Sequence, residues 1–251
     1  MSALTSLFAS LVGRLAELAQ PLFHTSATAA AIVLFTALVR LAVHPLSRAA
    51  ARGQKERARL APQMAELRAK YGKDPERLQR AVLELHAKEK VSPLAGCLPG
   101  LLQLPAFFLM YHLFSSSRIG GEANELLGHS LLGAELGGRW ADALGDGGVF
   151  GPAGVVYLGL FGIVAVVATF TYLRTRRQLA AAGPDRPEQA LPGMGAMTKV
   201  LPLMSFATLI TVAVVPLAAA LYVVTSTTWS AVERAFLYRD APAAGALATA
   251  G

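Results

Sequence analysis

The sequence predicts an all-α membrane protein: five transmembrane helices, a helical hairpin between the first two, and an N-terminal interfacial amphipathic helix. Three observations predict it. Of 251 residues, 54% are hydrophobic and only 16% charged, whereas soluble domains carry roughly 25% charged residues. Apolar stretches of spanning length recur along the chain, and a hydrocarbon core asks for about 20 residues per helix. The charge, net +7, is also uneven. Twelve Lys or Arg and six Asp or Glu lie between Arg48 and Lys90, while residues 115–150 hold two Arg against five acidic residues. Membrane proteins keep Lys and Arg on the cytoplasmic side.

Residues 1–21 read as the amphipathic helix. Leu4, Leu7, Phe8, Leu11, Leu15 and Leu18 recur at helical spacing, with Ser6, Ser10, Arg14 and Glu17 between them. Such a pattern lies in the membrane interface or packs on the protein, and one helix can do both. The segment lacks the basic start and continuous apolar core of a secretory signal. The first span is expected over 22–45 and carries one charge, Arg40.

Residues 46–92 form the expected cytoplasmic hairpin. Leu60, Met64, Leu67 and Tyr71 make one apolar stripe and Leu78, Val82 and Leu85 a second. Gly72 is placed to end the first helix. Asp74 is placed as N-cap of the next, with Pro75 at its first position. A bend is expected near Gly53 or Pro62.

The second span is expected over 93–115, irregular at its start because of Pro99 and Pro105. An extracytoplasmic loop follows over 116–151, then a third span over 152–173 and a cytoplasmic loop over 174–198. That loop opens on Arg174, Arg176 and Arg177. The fourth and fifth spans, 199–215 and 216–237, meet tightly at Pro216, and the tail 238–251 is Ala- and Gly-rich. The charge bias places the N-terminus outside and the C-terminus in the cytoplasm.

Arg40 is the most informative residue. Arg at a bilayer centre costs about 2.5–3.5 kcal/mol on the insertion scale. It stands about one turn from the predicted end of its span, so a snorkelling side chain is one reading. Thr36, Arg40 and His44, each four residues apart, argue for another: a polar seam on an apolar helix, facing a wet cavity. Gln103, Tyr111 and His112 offer polar groups on the second span, Ser205, Thr208 and Thr211 on the fourth, and Tyr222, Ser226 and Ser230 on the fifth. Together they predict a hydrophilic groove with one fixed positive charge. Singly, Ser and Thr in membrane helices more often bond their own backbone.

Enzyme classes find no footing. The chain has no H-E-x-x-H, G-x-S-x-G or phosphate-binding loop. Its five histidines are too scattered to argue for metal, and the single cysteine, Cys97, reads as a small apolar residue. No cofactor and no direct nucleic-acid recognition are expected.

The stretch from Leu38 to Phe114, above all KYGKDPERLQ and SPLAGCLPGLLQLPAFF, resembles the heart of the YidC/Oxa/Alb family of membrane protein insertases. LPLM, the short proline-containing connection and LYVVTSTTW resemble its last two spans. The resemblance covers roughly residues 25–240. It implies a short-form member without the family's large extracytoplasmic domain, a lipoprotein-type signal or a strongly basic tail. It implies a groove open to cytoplasm and lipid and closed to the outside, with Arg40 as the family's arginine and residues 46–92 as a hairpin that catches substrates. The implied partners are nascent membrane proteins, the ribosome and signal-recognition pathway, the Sec translocon and membrane lipids. Val223 departs from the bulky aromatic that many members carry there. An assembly chaperone acting only with the Sec translocon is an alternative. A small-anion transporter is a remoter one, since it predicts an internal inverted repeat that the chain lacks.

Overall fold

A computed structural model describes residues 2–72, 74–89, 108, 111–119, 121–181 and 200–237. Cys97, Gln103, most of the expected second span, most of the loop 174–198 and the C-terminal tail lie outside the described residues. The chain forms two compact units. One gathers residues 1–42, 104–172 and 203–233; the other gathers 43–103, 173–202 and 234–251.

The first unit opens with α1 (Ser2–Phe23) and a 3₁₀ turn (His24–Ser26), which lead into α2 (Ala27–Arg59). The apolar residues of α1 divide between two faces. Val12 and Ala19 are buried, Phe8 and Leu15 pack beside them, and Phe8 meets Phe35 of α2 edge-on at 5.6 Å. Leu7, Leu11, Leu18 and Leu22, one helical face, stay exposed. So α1 both packs on the protein and offers an apolar surface. His24, a non-glycine residue at φ +47°, turns the chain between the two helices.

Ile32, Phe35 and Thr36 of α2 face the core, while Val33, Leu34, Leu38 and Leu41 are exposed. Pro45 does not end α2. A proline removes one N–H and crowds the preceding turn, but the helix carries it and runs on to Arg59.

Where the sequence predicts an extracytoplasmic loop over 116–151, the described residues form local secondary structure. Two antiparallel hairpins, β1 (Arg118–Ile119) with β2 (Glu122–Ala123) and β3 (Ser130–Leu131) with β4 (Ala134–Glu135), flank a 3₁₀ turn at Glu125–Gly128. Then comes α5 (Trp140–Gly145). The buried Asn124 amide donates to the carbonyls of Leu113 and Ser116, both at 2.9 Å, and so ties the first hairpin to helical residues 111–115.

The third expected span lies within α6 (Pro152–Ala181). Thirty residues span about 45 Å at 1.5 Å each, more than a hydrocarbon core of about 30 Å. Tyr157, Leu160, Val164 and Ala168 are its buried stripe, and Val155, Leu158, Ile163, Val166 and Phe170 its exposed one. An exposed face this apolar fits lipid. Trp140 of α5 packs on α6 through Tyr157 and Phe161.

A 3₁₀ stretch (Leu201–Phe206) leads into α7 (Ala207–Val214), so the expected fourth span is not one continuous α-helix. After Val215 and Pro216, α8 (Leu217–Leu237) begins, and Leu217 through Val224 are all buried. Its first N–H groups have no partner within the helix. Leu217 N–H donates to the Gly138 carbonyl and Ala218 N–H to the Leu136 carbonyl, both at 2.9 Å. The loop backbone therefore caps α8. Among the described residues, two helices are long and apolar enough to cross a membrane: the α1–α2 run and α6.

The second unit holds the helical hairpin. α3 (Ala61–Tyr71) starts with Pro62 in its first turn, which explains the break after Arg59, and α4 (Pro75–Lys88) packs on it. Gly53 does not interrupt α2. Asp74 is the N-cap of α4, its carboxylate accepting from Arg77 N–H at 3.1 Å. Leu60 and His86 are buried here, with His86 Nδ1 2.8 Å from the Val82 carbonyl oxygen.

Candidate functional site

The first unit brings Arg40 of α2 against α8. Arg40 Nε donates to Ser226 Oγ at 3.0 Å, and a second guanidinium nitrogen, Nη2, donates to the same oxygen. Both residues sit deep in their helices, 186 positions apart in sequence. Ser226 itself is 5% exposed. Tyr222, one turn earlier on α8, lies within reach of Ser226 and of the Arg40 charge. The Tyr222 ring is held by Phe114 at 6.1 Å between centroids. Local sequence explains the placement. Leucine and alanine fill the start of α8 from Leu217 to Leu221, so it packs without polar side chains until Tyr222 and, one turn on, Ser226 come round on one face.

The other polar residues singled out by spacing have varied fates. Thr36 is buried, and its hydroxyl donates to the Ile32 carbonyl one turn back, at 2.7 Å. Ser230 does likewise to the Ser226 carbonyl at 2.9 Å, and Thr211 to the Ala207 carbonyl at 3.3 Å. These hydroxyl protons are used inside their own helices. His44, partly exposed, stands one turn beyond Arg40 on α2. Ser205 and Thr208 are partly exposed, on the 3₁₀ stretch and on α7. Tyr111 packs beside the core, and its carbonyl accepts from Ser115 Oγ at 2.6 Å. His112 is exposed and pairs with Ser116 at 2.9 Å. Gln103 lies outside the described residues.

Two further polar groups escaped the spacing argument. Among the described residues, the Thr228 hydroxyl and the Trp229 indole N–H are buried without a hydrogen-bond partner. Only tertiary packing reveals that. The Gly138 carbonyl was also missed. It accepts from both Leu217 N–H and the Tyr157 hydroxyl, the latter at 2.8 Å. The Gly137–Gly138 pair before Trp140 was the one signal of a backbone bend there.

The arrangement can hold a positive charge in an apolar helix bundle and offer it, through a guanidinium with five donors, to an acidic or carbonyl-rich guest. No group of three or more His, Cys, Asp or Glu suited to a metal occurs among the described residues.

Fold and site together define a helical membrane protein with an arginine hydrogen-bonded inside its first apolar helix. The sequence matches the 60Kd inner membrane protein family over residues 20–244, and the chain belongs to that family. Among its relatives is a protein of Geobacter sulfurreducens named "Membrane protein insertase YidC", 38% identical over 108 residues, which are 40% of this chain and 20% of the relative. A YidC of Anaeromyxobacter dehalogenans is 44% identical over 87 residues, 35% of this chain and 16% of the relative. One of Xanthomonas campestris pv. campestris is 41% identical over 87 residues, 35% and 15% of the two chains. The aligned segments thus span a fifth or less of these relatives' own length.

Proposed function

We propose that this protein is a membrane protein insertase of five spans, with the N-terminus and residues 116–151 outside and the hairpin and C-terminus in the cytoplasm. The observation that carries the reading is the Arg40–Ser226 pair, which holds a cation inside an apolar helix with a partner on another helix. In this reading Arg40 does not snorkel away from the bundle; Ser226 keeps it there. Packing also favours one common side for three segments. β3 packs on the 3₁₀ turn His24–Ser26, β1 packs on α1, and the loop backbone caps α8 just after Pro216. These contacts gather the start of α2, the β-hairpin segment and the start of α8 at one end of this unit, which supports reading them as lying on one side of the membrane.

The mechanism is physical. A substrate's short acidic extracytoplasmic tail enters a groove from the cytoplasm and is attracted by Arg40. The attraction between unit charges at 4 Å rises from about 1 kcal/mol in water to about 4 at an effective dielectric of 20. Polar groups of Tyr111, Ser205 and Thr208, partly exposed in the unit that holds Arg40, keep the tail hydrated. The adjacent apolar segment slides into lipid, gaining about 25 cal/mol per Å² buried. A membrane potential adds about 2.3 kcal/mol per charge per 100 mV. The hairpin receives nascent chains from ribosome and signal-recognition factors, alone or beside the Sec translocon.

The test is reconstitution. Purified protein in liposomes should integrate a single-span substrate with an acidic tail, with no translocon added. Failure of every substrate to integrate, at confirmed folding of the reconstituted protein, would leave the translocon-dependent chaperone as the better reading.

A further inference from the structure

The tip of the β3–β4 hairpin breaks two habits of a water-exposed turn. Its turn residues, Leu132 and Gly133, have φ of +51° and +89°. A two-residue hairpin of this kind is filled without strain by Asn-Gly or Asp-Gly. Leucine in the left-handed region is strained by its Cβ. The Leu132 side chain is also 72% exposed. In water the sequence would be wrong twice at one position.

Contacts within this unit locate the tip. Leu132 N lies 3.5 Å from Ser26 Oγ, and β3 packs on His24–Ser26. A Cβ at Gly133 would lie 3.3 Å from Pro152 Cβ. Ser26 directly precedes α2 and Pro152 opens α6. Leu132 therefore stands level with the starts of two apolar helices. Phe150, 88% exposed, flanks the same point two residues before Pro152. Leu22 and Phe23, at the end of α1, are exposed just before His24. From here the exposed apolar surface runs on into Val33 and Leu34 of α2 and Val155 and Leu158 of α6.

We propose that Leu132 and Phe150 form a lipid anchor, which seats the β-hairpin segment in the bilayer interface where α2 and α6 enter hydrocarbon. The proposal rests on reading α2 and α6 as membrane spans. Its occupant is lipid because the patch continues the exposed apolar faces of α2 and α6, where Val33, Leu34, Val155 and Leu158 follow it along the two helices. The left-handed leucine fits the same reading, since a bilayer rewards an apolar side chain where water favours Asn or Asp. The anchored segment is the one whose Leu136 and Gly138 carbonyls cap α8. The anchor thus steadies the end of the bundle that the insertase reading keeps closed.

Single cysteines test it, in a Cys97→Ser background labelled with the environment-sensitive dye NBD. The sites are Leu132, Phe150, Glu135 on the exposed side of β4, and Val166 on the exposed face of α6. The protein is reconstituted alone in phosphatidylcholine–phosphatidylglycerol vesicles. Dye at Leu132 and Phe150 should emit blue-shifted from dye at Glu135. It should be quenched by lipid carrying a shallow doxyl group and shielded from aqueous iodide, while dye at Val166 responds to deep doxyl lipid. Water-like emission and full iodide quenching at Leu132 and Phe150, with Val166 still quenched by lipid, would overturn the anchor and leave the spans standing. Water-like behaviour at Val166 as well would overturn both. Blue-shifted emission that no lipid quencher touches would overturn the lipid occupant in favour of a second copy of the chain.

Discussion

Arg40 and Ser226 show how one contact changes the reading of a residue. Spacing places Arg40 on a seam with Thr36 and His44, but Thr36 turns its hydroxyl to its own backbone and Ser226 supplies the partner. If Arg40 attracts acidic tails, charge matters more than the shape of the guanidinium. Arg40→Lys should keep most insertion, Arg40→Ala should lose it chiefly for acidic-tailed substrates, and Arg40→Glu should be worst. Insertion of matched substrates differing only in tail charge measures this. Equal insertion by Arg40→Ala and the parent protein for every tail, at equal folded levels, would sink the role. A second residue-scale prediction concerns Tyr157, 1% exposed, whose hydroxyl donates to Gly138. Tyr157→Phe removes one buried hydrogen bond and should destabilise the protein by about 1 kcal/mol. A detergent-solubilised thermal melt at unchanged midpoint would contradict it.

Elements differ in how tightly their surroundings bind them. At the start of α6, a Cβ on Gly154 would overlap the carbonyl oxygens of Gly148 and Val149. Those are backbone atoms, so relief requires moving the loop or the helix. Gly154→Ala should destabilise by about 1–3 kcal/mol, the usual range for overpacking, whereas Gly159→Ala, with open space around it, should be tolerated. Folded yield and melting temperature of the two variants provide the comparison. The α3–α4 hairpin is the opposite case. Its ion pairs Arg77–Asp74 and Arg80–Glu76 are exposed, and such pairs contribute about 0–1 kcal/mol each. Few of its described side chains are buried, so backbone amides of α3 and α4 should exchange hydrogen faster than those of α6 and α8. Equal protection in the two sets would make the hairpin a fixed strut rather than a recruiter.

At the scale of the whole molecule, sidedness is the quantity to test. Cysteines placed at His129 or Asp146 should react with an impermeant reagent added outside intact cells, and cysteines at Arg52 or Glu84 should not. The motivation is the charge contrast between the two connections together with the packing of residues 118–135 on the start of the chain. The reverse pattern would invert the topology and with it the cytoplasm-open groove.

Local chemistry was enough for much of this protein. Apolar length and the bias of Lys and Arg mark α2 and α6 and separate hairpin from loop, because transfer into hydrocarbon depends on composition within one segment. The start of α4 was legible for the same reason, since Asp74 and Pro75 act within a single turn. The unbroken passage of α2 through Pro45 was not, because whether a helix bends or ends at a proline depends on what packs around it. Nor were the hairpins at Arg118–Ala123 and Ser130–Glu135, whose two-residue strands are too short for any periodicity to register. Tertiary structure alone decided that Ser226 is the partner of Arg40 and that Gly138 and Leu136 cap α8. Each joins groups far apart in the chain, and a hydrogen bond between distant segments leaves no trace in the spacing of either one.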